Sequence, residues 1–279
     1  MRTLILESSR ANGQSLDSFS DYDVLLVVDD LSAFTDDDAW LRDFGTPLVM
    51  LRDRLETLGM ITATRLVLYE DYTKIDYVLW PTDLLREVVA RQESTELLDW
   101  GYRILVDKDG IAAGLPTPTR TAHIPARTSE HEYLALVNEF WWETTYVAKN
   151  LWRGDLLFAR YNLDVVIRYE LLLRMVEWRV EVDRGWTWKP GLLGRGLQHV
   201  VSPETWAELE QTLAGADIAA NWQALFAATA LFRRLAVEVG VALGYAYPHE
   251  LDRGVTAYLQ MVHGLPAKAA ESPGEAASG

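Results

Sequence analysis

The spacing of apolar residues changes once along this chain, and that change limits how it can fold. Before about residue 110 the apolar residues come in short runs: RTLILE at 2–7, YDVLLVV at 22–28, TPLVMLR at 46–52, and TRLVLY and KIDYVLW on either side of EDYT at 70–73. Such runs, aliphatic and bounded by polar turns, predict strands, the last two forming a hairpin. DDDAWLRDFG at 36–45 starts with acids and ends in Gly, and PTDLLREVVARQ at 81–92 opens with Pro, so both predict helices. YRILVDKDG predicts a further strand and turn. After residue 129 the period becomes helical. Ser129 and Glu132 are spaced as a capping box, and Tyr133, Leu136, Val137, Phe140, Val147, Ala148 and Leu151 follow at helical intervals. Residues 155–183, 203–213, 219–243 and 251–263 predict four more helices, and eight of the eleven tryptophans lie in this half as bulky core filler. Between the halves, residues 110–128 hold Pro116, Pro118 and Pro125 and no period, which places the domain boundary there.

The 279 residues are 49% hydrophobic, enough for a sizeable core, and include no cysteine. Disulfides and thiolate metal sites are excluded, and a reducing cytoplasm is the expected compartment. No run approaches the roughly 18 apolar residues of a membrane span, and MRTLILESSR lacks the apolar region and cleavage site of a signal peptide. A net charge of −15 repels nucleic acid and anionic membranes and attracts cations. A polycationic small molecule would gain from that field, whereas ATP would need lysine or arginine placed locally against it. Residues 264–279 are small, polar and rich in Pro and Gly, so a disordered tail is expected.

Asp21 and Asp23 stand one residue apart at the front of the second apolar run. Residues i and i+2 of a strand share a face, so the two carboxylates would project together and repel unless a cation lies between them. Mg²⁺, with its preference for hard oxygen ligands, phosphates and water, suits that role. A solvated strand end explains such a pair equally well. Asp76 adds weight, because it lies inside another apolar run, and a partly buried carboxylate there needs a partner. The partner is either Lys74 or an arginine, or a metal shared with the pair. Three carboxylates could hold two Mg²⁺ ions, or one ion plus a base. The turn Ser8-Ser9-Arg10 after the first strand could bring backbone N–H groups, the Ser9 hydroxyl and the Arg10 charge to phosphate oxygens.

A strand, S-S-R, about twelve residues, D-Y-D on the next strand and a lone Asp on a later one resemble the nucleotidyltransferase superfamily. SDYDVLLVVDD, DDDAWLRDFG, LYEDYTKIDYVLWP, NEFWWETTYVAKNLWRGDLLFA, VIRYELLLRMVEW and GYAYPHELDRGVTAYL narrow the resemblance to the aminoglycoside 6-adenylyltransferases, or streptomycin adenylyltransferases, over about residues 2–263. The resemblance implies an α+β fold: a nucleotidyltransferase mixed sheet with flanking helices in residues 1–115, then a helical bundle in 126–263, with the active site between them. It implies transfer of AMP from ATP, with Mg²⁺, to a hydroxyl of streptomycin, releasing pyrophosphate and inactivating the antibiotic. Asp21 and Asp23 would be metal ligands and Asp76 a ligand or general base. Ser9, Arg10 and Lys149 would touch the nucleotide phosphates. Glu139, Glu143, Asp164 and Glu170 are candidates to pair with streptomycin guanidinium groups, and Trp141 or Trp142 to stack on adenine or drug. For each of these, a solvated face, an ion pair within the chain or a core position is the alternative. A monomer is expected.

The chain departs from the family pattern twice. Ser8 replaces the usual glycine of the Gly-Ser-Arg turn, where glycine permits positive φ and close backbone approach. Family members usually carry a helix before the first strand, and without it one sheet face is expected to be less covered. Two other readings stay open: the same chemistry on another aminoglycoside or a lincosamide, and a non-catalytic nucleotide-binding domain on the same fold.

Overall fold

Strands β1 (Thr3–Glu7), β2 (Tyr22–Val28), β3 (Pro47–Thr57), β4 (Met60–Tyr69), β5 (Lys74–Pro81) and β6 (Tyr102–Asp107) form one sheet in the order β3-β4-β5-β2-β1-β6. This is a computed structural model, and it describes residues 1–13, 16–122 and 124–266. The β2–β5 pairing is parallel and the other pairings are antiparallel, so the sheet is mixed. Helix α1 (Ser8–Asn12) follows β1 directly, and α2 (Ser32–Thr35), α3 (Thr82–Arg91) and α4 (Glu96–Asp99) flank the sheet. One sheet face packs Ile5, Leu25, Val27 and Trp80 against Leu84, Leu85 and Val88 of α3. The other packs Leu26, Val28, Val67, Tyr69 and Leu79 against Leu41.

The sequence expectations hold for β1, β2, the β4–β5 hairpin, α3 and β6, and they fail in three places. Residues 36–45 form a 3₁₀ turn, Ala39–Phe44, behind the short α2. Strand β3 runs five residues beyond TPLVMLR to Thr57 and makes a second hairpin with β4, Thr57 facing Met60. It is an end strand exposed on both faces, so the alternation that marks a half-buried strand is missing. Near the β3–β4 turn, Leu55, Leu58, Val78, Trp80, Leu97 and Trp100 line an apolar groove of about 620 Å³.

The chain divides into two compact units, Met1–His123 and Ile124–Gly279. The second is helical: α5 (Glu130–Arg153), α6 (Leu156–Tyr161), α7 (Leu173–Arg184), α8 (Pro203–Gln211), α9 (Ile218–Leu243) and α10 (His249–His263). The Ser129–Glu132 capping box starts α5, each side chain bonded to the other residue's backbone N–H. The third difference lies here. The expected single helix over 155–183 has a π-helical stretch, Asn162–Leu172, between α6 and α7. Wider turns of this kind recur at functional sites, because they re-aim side chains on a continuous helix. No helix among the described residues is long and apolar enough to cross a membrane. Of the expected tail, 267–279 lie outside the described residues, while Pro266 accepts a 2.8 Å hydrogen bond from Trp152 Nε1.

The helical core stacks Phe140 of α5 flat on Phe232 of α9, with ring centroids 3.6 Å apart. Beside it runs a buried polar chain. Asp252 accepts from Arg233 Nε (2.5 Å) and Nη2 (2.6 Å), from Tyr247 Oη (2.9 Å) and from Thr256 Oγ1 (3.0 Å). Tyr247 Oη in turn accepts from Trp141 Nε1 at 3.1 Å. Asp252→Ala removes the acceptor of these bonds; because Arg233 is 37% exposed and can turn to water, the cost is that of lost charge-assisted hydrogen bonds, about 2–3 kcal/mol. The melting temperature of that variant is expected to fall by roughly 5 °C or more, which thermal unfolding by circular dichroism measures.

Candidate active site

Parallel pairing of β2 with β5 sets Asp23 directly opposite Asp76. Asp23 alternates in step with the buried Leu25, and Asp76 with the partly buried Val78 and the buried Trp80, so both carboxylates stand on one sheet face. Asp21 lies just ahead of β2. Lys74 Nζ bridges the group, 2.6 Å from Asp21 Oδ2 and 3.1 Å from Asp76 Oδ2. Burial alone would lower the Lys74 pKa, but its bonds to the two carboxylates raise it. The Lys74 partnership is one of the alternatives open for Asp76 from the sequence. It does not exhaust the group: Asp76 Oδ1 is buried without a hydrogen-bond partner. Asp23 titrates above the usual carboxylate range, first because of burial and then because of Asp76 and Asp21; the Ser8 hydroxyl and Lys74 work the other way.

Among the described residues, no three carboxylate or imidazole groups converge on one metal-sized point. The donor chemistry nevertheless suits a hard divalent ion. Three carboxylates face one ammonium, one oxygen is orphaned, and burial, then repulsion from Asp76, raises the Asp23 pKa from its ordinary value.

Glu7 is a fourth carboxyl in this group, beyond those that the sequence pattern marks. It ends β1, is 1% exposed, and neither carboxyl oxygen has a hydrogen-bond partner. Burial first, then the charge of Asp23, push its pKa up to about 8. The signal was present in RTLILE: Glu7 shares a face with Ile5, which is fully buried. Between its ordinary 4.5 and about 8, the folded chain keeps a proton that the unfolded chain loses. Stability therefore falls as pH rises through that window. Glu7→Gln is expected to remove this slope and to melt higher than the parent at pH 8–9, by a margin absent at pH 5; denaturation across that pH range checks it.

The turn after β1 adopts the backbone that the family pattern reserves for glycine. Ser8 has φ +62°. A side chain in this left-handed region costs about 1–2 kcal/mol. The Ser8 N–H donates to Gly101 O at 3.2 Å, which fixes the turn against the sheet. Ser9 is half-buried on α1. Arg10 Nε donates to Asp21 O at 2.9 Å and Nη2 to Ser20 O at 2.7 Å, and the guanidinium lies 3.7 Å over the Tyr22 ring. In this arrangement Arg10 holds the backbone of Asp21. Ser8→Gly is expected to raise the melting temperature by a few degrees and to leave turnover equal or higher; a clear loss of rate would refute this account of the turn.

The remaining candidates lie in the helical unit. Lys149 is half-buried on α5, its Nζ 4.7 Å from the Tyr146 ring centre. Two expectations are corrected. Trp141 is fully buried and donates to Tyr247, so its ring belongs to the bundle core and offers no face to a ligand; its neighbour Trp142 is 61% exposed. Asp164 is held by Arg160 at 2.6 Å and Arg168 at 2.5 Å, both one turn away, and is occupied by those charges. Glu139 and Glu170, with Glu132, Arg174 and Trp178, line a cavity of about 600 Å³. Glu143 is near both: its pKa is raised by burial first, then by Glu139 and Glu170. The carboxylates thus come from α5 and from the π-helical stretch.

Residues 1–262 match the streptomycin adenylyltransferase family. The chain is 30% identical over 270 residues to an aminoglycoside 6-adenylyltransferase of Bacillus subtilis, covering 94% of this chain and 92% of that protein. It is 32% identical over 254 residues to an aminoglycoside 6-adenylyltransferase of Campylobacter jejuni, covering 89% and 85%. The crystal structure of an aminoglycoside 6-adenyltransferase from Bacillus subtilis matches the fold with a TM-score of 0.50 at 28% identity, over 95% of this chain and 92% of that one. With the mixed sheet, the in-register acids and a match along nearly its whole length, the chain belongs to the streptomycin adenylyltransferase family of nucleotidyltransferase enzymes.

Proposed function

We propose that this chain transfers AMP from ATP to a hydroxyl of streptomycin, inactivating the antibiotic, with residues 1–115 as the catalytic domain and 126–263 as the helical domain. The observation that carries the reading is the Asp23–Asp76 register on parallel strands, with an orphaned Asp76 oxygen beside it. Asp21 and Asp23 would hold Mg²⁺, with Asp76 as a third ligand or as the base; the ion when bound neutralises the triphosphate and makes the acceptor hydroxyl more acidic. In the base role Asp76, whose Oδ1 has no hydrogen-bond partner, would take the proton from the hydroxyl. The acceptor oxygen then bonds to the α-phosphorus, the bond from that phosphorus to the bridging oxygen breaks, and pyrophosphate leaves. Ser9 and Lys149 would contact the phosphates, while Arg10 keeps Asp21 in place. Positioning and charge stabilisation supply most of the rate in such a transfer.

The acceptor is the finer part of the proposal. Streptomycin carries guanidinium groups, and a planar guanidinium pairs with carboxylates through two parallel hydrogen bonds. Glu139, Glu143 and Glu170 offer three such carboxylates in one region of the helical unit. The overall charge of −15 draws a polycation toward the chain. We further propose action as a monomer in the cytoplasm.

Pyrophosphate release from Mg-ATP, assayed across aminoglycosides and lincosamides, tests the reading. Streptomycin-dependent release is expected. Release with a different acceptor alone would reassign the substrate, and nucleotide binding without any release would remove the catalytic role. Asp23→Asn is expected to cut turnover by at least about 100-fold; full activity in that variant would disprove the metal assignment.

A further inference from the structure

A corner at residues 99–101 grips two parts of the first unit at once. On one side it holds the turn after β1. Ser8 N donates to Gly101 O, and Asn12 Nδ2 donates to Trp100 O. Gly101 has φ +109°, and a Cβ there would lie 2.1 Å from Asn12 Oδ1, so the close seat of Asn12 requires glycine. On the other side the corner holds the segment that leads toward the helical unit. Asp99 is 4% exposed and accepts five hydrogen bonds from it. Oδ1 takes Thr119 N (2.6 Å), Thr119 Oγ1 (2.8 Å) and Arg120 N (3.1 Å); Oδ2 takes Thr121 N (2.8 Å) and Ala122 N (2.9 Å).

Successive N–H groups around a left-handed residue form a concave anion nest, and Arg120 has φ +63°. Burial would raise the Asp99 pKa, but the donors from Ala122, Thr119 and Arg120 hold it at about 2. Residues 119–122 are exposed and belong to no helix or strand, yet this one carboxylate fixes their path. The same segment then reaches back, as Arg120 Nη2 donates to Asn12 Oδ1 at 3.1 Å. Asn12 is the last residue of α1, the helix that also carries Ser9 and Arg10.

We infer that Arg120 and Asn12 are positioning residues for the Ser8–Asn12 turn, and that Asp99 makes the turn's geometry depend on the segment joining the two units. The consequence for catalysis rests on the proposed contact of this turn with ATP; the coupling does not. A displacement of residues 119–122 is passed to Asn12 through Arg120, and from Asn12 to the residues that meet the triphosphate. The bonds of the three side chains run to other parts of the first unit, which makes their role one of positioning.

The test uses the full chain with Arg120→Ala, an exposed position whose loss leaves the core intact, and Arg120→Lys as the conservative variant. Amide hydrogen exchange, without nucleotide, is read over residues 8–12. Losing one hydrogen bond from a charged donor is expected to speed exchange there by roughly tenfold and to raise the KM for ATP several-fold, with acceptor KM, kcat and melting temperature unchanged. Arg120→Lys restores part of both effects, and Asp99→Asn reproduces the faster exchange with Arg120 still present. Unchanged exchange over 8–12 overturns the coupling, even if KM rises, since Arg120 would then act on the nucleotide directly. Faster exchange with unchanged KM overturns the positioning role. Because the exchange arm needs no ATP, it decides the coupling even if the parent chain releases no pyrophosphate.

Discussion

Two strands running side by side in the same direction place Asp23 against Asp76, and much of this unit is arranged around that pairing. Like charges on adjacent strands are unfavourable, and each neighbour of the pair reduces the cost in its own way. Lys74 lies across Asp21 and Asp76. Arg10 takes the carbonyls of Ser20 and Asp21 and stacks on Tyr22, so the chain entering β2 is held from one side. Glu7 avoids adding a fourth negative charge by keeping its proton near neutrality. An arrangement this costly in the folded state is hard to explain by stability, and it accords with the family to which the chain belongs.

The acid group was legible because strand periodicity and burial constrain it together. Asp76 stood out as a carboxylate flanked by apolar residues, and Asp21 and Asp23 as a pair at a strand's lip. Glu7 is hard to read from sequence because a terminal acid ordinarily marks a strand's solvated end, and only the alternation with Ile5 contradicts that. The far end of β3 is illegible in sequence because an end strand bathed on both faces has no alternation to read. In the helical half, periodicity located the helices but not their partners. Asp164 and Glu170 look alike in sequence, yet two arginines one turn away occupy the first, and the second lines a cavity. Trp141 and Trp142 are adjacent, and about 100° of helical rotation puts one in the core and the other in solvent.

The two units place their carboxylates by different means. The sheet fixes its carboxylates through backbone register, which sets distances closely and leaves little freedom. The helical unit gathers Glu139, Glu143 and Glu170 from separate segments, one of them a π-helical stretch whose wider turn changes where its side chains point. Rigid placement accords with the proposed role of the sheet acids at a metal ion and a phosphorus atom. A looser collection of carboxylates accords with the proposed polycationic acceptor.

The open edge of the sheet bears on how this protein behaves at high concentration. Strand β3 offers eleven residues of end strand, with Leu48, Val49, Leu51 and Leu55 exposed. Such an edge is a template for an incoming strand from another molecule. Arg52, Asp53 and Arg54 interrupt the apolar stretch at its middle, where an approaching strand would have to bury them, and Arg52 is also tied to Asp38. These charges act as guards against intermolecular sheet. A chain made more hydrophobic at Arg52 and Arg54 would be expected to aggregate through this edge on warming, with the Asp21, Asp23 and Asp76 group untouched.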